Sequence, residues 1–145
     1  MSLSTKHKIH LQVEYEHQWI HQPLDLIFKI NDRVINVDVS GKNTVTIDKI
    51  ISLQQGDHKF ILCCTNKSVN HTQIDESQTI IEDSYAKFTK FFVDDINLMQ
   101  FVKGHSYFIS ENNEKTTSTT GVWANGSWCM DFKMPVYDWL LESLF

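Results

Sequence analysis

Six carboxylates fall in three adjacent pairs: Asp75-Glu76, Glu82-Asp83 and Asp94-Asp95. Oxygen-rich sets of this kind hold hard cations such as calcium. Carboxylates fixed on rigid strands across a cleft can instead serve as general acid and base in glycoside hydrolysis. Asp75, Glu76, Glu82 and Asp83 lie in a polar stretch that reads as a loop, which suits calcium better than hydrolysis. A plain solvated acidic surface is the competing reading. The metal candidates are therefore Asp75, Glu76, Asp83, Asp94 and Asp95, with calcium as the ion.

Trp123 and Trp128 flank Asn125-Gly126. Asn-Gly between apolar arms is a strong signal for a tight hairpin. A two-residue turn there predicts a Val122–Phe132 hairpin. Ala124 then pairs with Ser127, and Trp123 with Trp128 on one face, leaving Val122 and Cys129 on the other. An inward tryptophan pair would be core. An outward pair would be a flat platform for stacking sugar rings. Valine and cysteine are the more regularly buried types, so the tryptophans are placed outward or at a partly covered edge. Trp123, Trp128 and Asn125 are the ligand-binding candidates.

Other groups offer less. His17 and His21 stand four apart, and His7 and His10 three apart, spacings that place two metal ligands together only on a helix; neither segment has helical patterning. No G-x-S-x-G or Cys-His signature is present. The three cysteines, Cys63, Cys64 and Cys129, read as buried thiols in a reducing compartment. Adjacent Cys63 and Cys64 point to opposite faces of a strand and are not expected to pair.

These residues belong to a chain of 145 residues with net charge −5, the size of one domain. The pI is near 5.7, and Arg33 is the only arginine. Nucleic-acid recognition needs clustered Lys and Arg, so that class is excluded. Nothing approaches the length of an apolar membrane span. The first ten residues carry no apolar run of signal-peptide type. The expected location is the cytoplasm or a virion. Sequons at Asn66, Asn70 and Asn125 arise readily in an Asn-rich chain.

Period-two alternation supplies the elements. Lys8–Glu16 sets Ile9, Leu11, Val13 and Tyr15 on one face and Lys8, His10, Gln12, Glu14 and Glu16 on a wet one. Leu24–Asn31 and Val34–Val39 read as two strands about an Asn31-Asp32-Arg33 turn. Two more follow within Asn43–Lys67, joined at Gln54–Asp57 with a turn glycine at Gly56. Tyr85–Val93 alternates with Ala86, Phe88, Lys90 and Phe92 on one face and Tyr85, Lys87, Thr89, Phe91 and Val93 on the other, and Phe88 and Phe92 are assigned inward. His105–Ser110 is a further strand, and Tyr137–Phe145 a short terminal helix. The expected core is Ile9, Leu11, Val13, Leu26, Phe28, Phe60, Leu62, Phe88 and Phe92. Short strands at regular spacing predict an all-β, antiparallel, jelly-roll-like β-sandwich with a short C-terminal helix, forming a single domain over residues 1–145.

Leu53–Leu62 (LQQGDHKFIL), with its Gly-x-His turn, and Phe91–Leu98 (FFVDDINL) together resemble carbohydrate-binding β-sandwich modules. The calcium-dependent xylan-binding type is the nearest. Similar small sandwiches also look like parts of tailed-virus particles, and the ending Met134–Leu144 (MPVYDWLLESL) suits that resemblance. The resemblance implies calcium held by loop acids, with Asp75 and Asp94 or Asp95 as ligands, and sugar bound by the ion and nearby aromatics. Asn66-Lys67 stands where those modules tend to carry Asn-Asp. The expected function is a non-enzymatic binding module with carbohydrate as ligand. The alternative is a structural or interaction protein, such as a virion component, that partners another protein and takes no small ligand.

Overall fold

The computed structural model describes residues 6–40, 43–68, 72–77, 80–117 and 119–144. Asn70 and Phe145, and the side chain of Glu82, lie outside what is described. Two antiparallel sheets face each other across one apolar layer. The first sheet is ordered β10-β9-β1-β5-β4, with β13 also paired to β9. Its strands are β1 (Lys6–Gln18), β4 (Asp38–Ser40), β5 (Thr44–Gln54), β9 (Tyr85–Val93), β10 (Ile96–Asn97) and β13 (Gly121–Val122). The second sheet is ordered β12-β11-β14-β6-β2-β3. It holds β2 (Leu26–Ile30), β3 (Arg33–Val34), β6 (Gly56–Cys64), β11 (Tyr107–Ser110), β12 (Lys115–Thr117) and β14 (Gly126–Met134). A small separate hairpin is made by β7 (Thr72–Ile74) and β8 (Ile80–Asp83). Helix α1 (Met99–His105) bridges the sheets, and α2 (Val136–Leu144) ends the chain. The all-β sandwich with a short C-terminal helix is thus the observed fold. Among the described residues no helix is long and apolar enough to cross a membrane.

The alternation in β1 does what its pattern predicts. Ile9, Leu11, Val13 and Tyr15 are buried, and Phe28, Phe60, Leu62 and Phe88 join them. Leu26 sits at the margin of this layer, partly buried against it. Phe60 lies at its centre, stacked on Phe132 at 4.1 Å between ring centroids and edge-on to Phe91 at 5.0 Å. Burial leaves Tyr15 as a neutral phenol, its pKa pushed up to about 12.

The expected Val34–Val39 strand is split, Val34 ending β3 in the second sheet and Asp38 beginning β4 in the first, and His105 closes α1 rather than opening β11. Two further expectations that bear on the site fail, for different reasons. The first concerns β9. Glu14 pairs with Lys90 but Tyr15 pairs with Phe88, so Thr89 is an extra residue in β9. Such a bulge reverses which side the following residues face. Phe91 and Val93 are therefore buried, and Phe92 turns outward, half-buried, instead of joining the core.

The second concerns the tryptophans. Val122–Phe132 is not a hairpin. Val122 pairs with Ala86 in the first sheet, whereas Gly126 begins a strand paired with β6 and β11 in the second. Asn125-Gly126 is a crossing between sheets. Gly126 has φ +142°, and a Cβ there would overlap the Ile109 carbonyl oxygen, so the crossing needs glycine. Val122 and Trp128 are both buried in the one core, from different sheets, while Trp123 between them is left at the surface.

Candidate functional site

The central strand of the first sheet, β1, turns its wet face away from the core. Its registers place Gln12 between Phe92 and Asp48, Glu14 between Lys90 and Thr46, and Glu16 between Lys87 and Thr44. Residues directly opposite in an antiparallel ladder share a face, so these side chains form one surface. A hollow of about 380 Å³ opens there, lined by Gln12, Glu14, Thr46, Asp48, Lys90 and Phe92. A smaller hollow of about 190 Å³ adjoins it, sharing Glu14 and walled by Glu16, Gln18, Asn43, Thr44 and Thr89.

The polar groups of this face are held in place by one another. His10 Nε2 donates to Asp48 Oδ1 at 2.5 Å. That bond holds the Asp48 carboxyl below the usual carboxylate range, and it is ionised at neutral pH. Thr89, the bulged residue, donates its hydroxyl to Glu14 Oε1 at 3.0 Å. Lys90 Nζ lies 3.9 Å from Glu14 Oε2. Gln18 Nε2 donates to Glu16 Oε1 at 2.6 Å. Both sides of the β1 backbone are paired over Leu11–Glu16, so recognition on this face falls to side chains.

At the far end of the same face stands one of the two expected tryptophans. Trp123 follows β13 directly, opposite Tyr85, and the two rings stack at 5.6 Å and 16° between planes. Trp123 is 41% exposed. Its carbonyl accepts from Lys67 Nζ, which also pairs with Asp83 Oδ1 at 2.7 Å. Asn125 Oδ1 accepts from the Lys67 amide at 2.6 Å, and its Nδ2 donates to the Lys67 carbonyl at 2.8 Å. Asn125 thus fastens the crossing to the end of β6, and its amide is spent on protein rather than offered to a ligand.

Trp128 has gone the other way. It is 0% exposed, packed on Phe88 at 4.3 Å and Phe91 at 6.0 Å, with Nε1 donating to the Thr119 carbonyl at 3.1 Å. The predicted pairing of Trp123 with Trp128 on one platform is therefore corrected: one ring is surface, the other is core. The aromatic partner of Trp123 is Tyr85.

The acidic candidates do not converge. Asp94 and Asp95 are the central residues of the β9–β10 hairpin, with φ 50° and 64°, the positive values such a tight turn requires. Asp94 Oδ1 accepts from the His10 amide at 2.8 Å. Asp83 lies beyond the other end of β9, a nine-residue strand, which puts it on the order of 30 Å from Asp94. Asp83 is engaged by Lys67, and Asp75 accepts from the Ser77 amide at 2.9 Å. Asp75 and Glu76 lie between β7 and β8. Among the described residues no group of three or more His, Cys, Asp or Glu side chains is placed to hold a metal ion. The donor set does not fit a calcium shell drawn from both regions, and the lysine at position 67 occupies the carboxylate that such a shell would use.

The remaining candidates are accounted for by packing. His17 Nε2 accepts from the Leu24 amide at 3.2 Å, and burial lowers its pKa, so it is neutral. Cys64 and Cys129 are buried and Cys63 is half-buried, all free. Burial pushes the Cys129 thiol up to about 11, the opposite of what a nucleophile needs.

Sequence reasoning had the wet face of β1 but missed Phe92, Tyr85 and Asp48 as its companions. Polar alternation within Thr44–Asp48 was the available signal for β5. For Phe92 there was none, because a single extra residue decided its side. No family model matches the chain, nor does any curated protein or solved structure.

Proposed function

We propose that this chain is a non-enzymatic binding module whose ligand is carbohydrate, taken up on the outer face of the first sheet around Phe92. One observation carries the reading: a half-buried aromatic ring lies among planar polar groups in an open hollow, on a strand already paired on both sides. A sugar ring presents two flat C–H faces and a rim of hydroxyls. Phe92 offers a face for the first. Gln12, Glu14, Asp48 and Lys90 offer donors and acceptors for the second. A peptide adding as a strand would need unpaired backbone, and β1 has both sides paired over Leu11–Glu16. The carboxylates act here as acceptors, Asp48 ionised by His10 and Glu14 held by Thr89, so binding is supported and turnover is not required. Calcium has no part in the reading.

Screening the chain on a glycan array and measuring hits by calorimetry tests the proposal. Binding that is lost in Phe92→Ala and weakened in Gln12→Ala supports it. A blank array, or binding indifferent to both substitutions, would refute it.

A second reading, a protein-assembly role such as that of a particle component, has its own support. On the outer face of the second sheet, Ile27 and Val34 are exposed beside the partly buried Ile61 and Tyr107. Sedimentation across a wide concentration range, combined with a blank array, would favour it.

A further inference from the structure

The hollow at Phe92 does not stand alone. The smaller hollow continues it along β1, with Glu14 in both. Beyond that lies Tyr85, opposite Gln18, with Trp123 stacked on it. Tyr85, Lys87, Lys90 and Phe92 all lie on the outer side of β9, the bulge at Thr89 having restored Phe92 to that face. The two hollows together form a trough along β1 from Gln12 to Gln18, with Phe92 in its wall at one end and the Tyr85–Trp123 stack beside Gln18 at the other. The separation from Phe92 to Tyr85 is about 20 Å at the rise of an extended strand.

Three properties of the trough choose among glycans. It extends along β1 through two adjoining hollows, so it takes a stretch of chain and not only a terminus. Its hollows are lined by more acids than bases: Glu14, Glu16, Asp48 and Asp95 against Lys90, which is drawn toward Glu14, with Lys87 beside Glu16 and Lys8 and His10 further along the face. An anionic polysaccharide would meet repulsion along its length. Its far aromatic is pre-set. Lys67 grips the Trp123 carbonyl and is itself locked by Asp83, while Asn125 bonds both backbone groups of Lys67. A ring held at its backbone and stacked on Tyr85 loses little freedom when a ligand arrives.

We infer that the ligand is a neutral, extended glycan chain of several rings, lying lengthwise along β1 between Phe92 and the Trp123–Tyr85 stack. This rests on the carbohydrate reading above and adds to it chain length, charge and orientation. The prediction is a length dependence that belongs to Trp123. The Phe92 hollow engages short oligosaccharides, and only longer ones reach the second aromatic.

The test uses the full chain and calorimetric titration with neutral β-1,4-linked gluco-, xylo- and manno-oligosaccharides from disaccharide to hexasaccharide, with oligogalacturonates as the anionic series. A neutral series should gain roughly three- to tenfold in affinity once the chain spans the trough, the worth of one aromatic stack. In Trp123→Ala the gain with length should vanish, and Trp123→Phe should restore part of it. Circular dichroism and melting of each variant exclude misfolding. Oligogalacturonates should fail to bind at any length. Phe92-dependent binding without a gain in length, or a gain that survives Trp123→Ala, would overturn the lengthwise placement and leave the carbohydrate reading standing. Oligogalacturonates binding as well as neutral chains would overturn the charge assignment. Absence of binding across all the neutral series would overturn this inference, and only a blank glycan array as well would remove the reading beneath it.

Discussion

Neighbouring residues of one type have opposite roles here. Phe91 and Phe92 are adjacent, yet Phe91 is buried against Phe60 and Trp128, whereas Phe92 lines the outer hollow. Phe91→Ala should cost roughly 3–5 kcal/mol of stability as a core truncation. Phe92→Ala should cost far less and act on binding. Denaturant titration of the two variants separates them, and equal losses would show that the bulge is misplaced. The tryptophans divide in the same way. Trp128→Ala should lose roughly 3–5 kcal/mol, with the Thr119 carbonyl giving up a donor. Trp123→Ala should leave the melting temperature nearly unchanged. Tyr15 gives a pH signature. Its pKa is ordinarily 10 and is raised to about 12 by burial. The unfolded chain therefore loses this proton first as pH rises. Stability from Tyr15 is whole below pH 10 and falls through about pH 12, by about 2–3 kcal/mol in all. Unfolding titrations from pH 8 to pH 11.5 should show the decline, and Tyr15→Phe should blunt it.

At the scale of elements, the bulge in β9 and the crossing at Asn125 set the geometry of the face. Deleting Thr89 would pair β9 and β1 without interruption and leave Phe88 and Phe91 on the core side with Lys90 and Phe92 outward, because Tyr15 already faces Phe88 and Glu14 already faces Lys90. The fold should therefore survive the deletion with a modest fall in melting temperature. Thr89→Ala keeps the residue count and loses one exposed hydroxyl bond to Glu14, so it should cost under about 1 kcal/mol. If the deletion unfolds the chain, Thr89 is not the extra residue and the register across the bulge is wrong. The crossing makes a parallel case. Asn125→Ala strips both backbone partners from Lys67 and should cost about 1–3 kcal/mol, with the Trp123–Tyr85 stack loosened, readable as a shift in tryptophan fluorescence.

For the whole molecule, the two sheets shield a shared core, and the first sheet is left with a polar trough on its back. The paired acids Asp75-Glu76, Asp83 and Asp94-Asp95 lie in turns and at strand ends and do not converge. Melting curves in millimolar calcium and in excess chelator should therefore coincide, since a ligand stabilises only by binding the folded state. A rise with calcium would show a site that the described carboxylates do not form.

The sequence by itself determined the parts that local pattern controls. Alternation in β1 named Ile9, Leu11, Val13 and Tyr15 as core and Gln12, Glu14 and Glu16 as a wet face, because strand geometry sends successive side chains to opposite sides. The same rule placed Phe28, Phe60 and Leu62, and the apolar spacing near the end marked the terminal helix. What only the tertiary structure decided was partnership. Asn125-Gly126 has the chemistry of a hairpin, yet Val122 and Gly126 belong to different sheets, and local turn preference cannot say which sheet a strand will join. Phe92 changed sides because β9 carries one residue more than β1 at Thr89, a count that exists only once the two strands are paired. The trough between Phe92 and Trp123 is likewise written across β9, β1, β5 and β13, four segments far apart in the chain, and it takes long-range pairing to bring them onto one face.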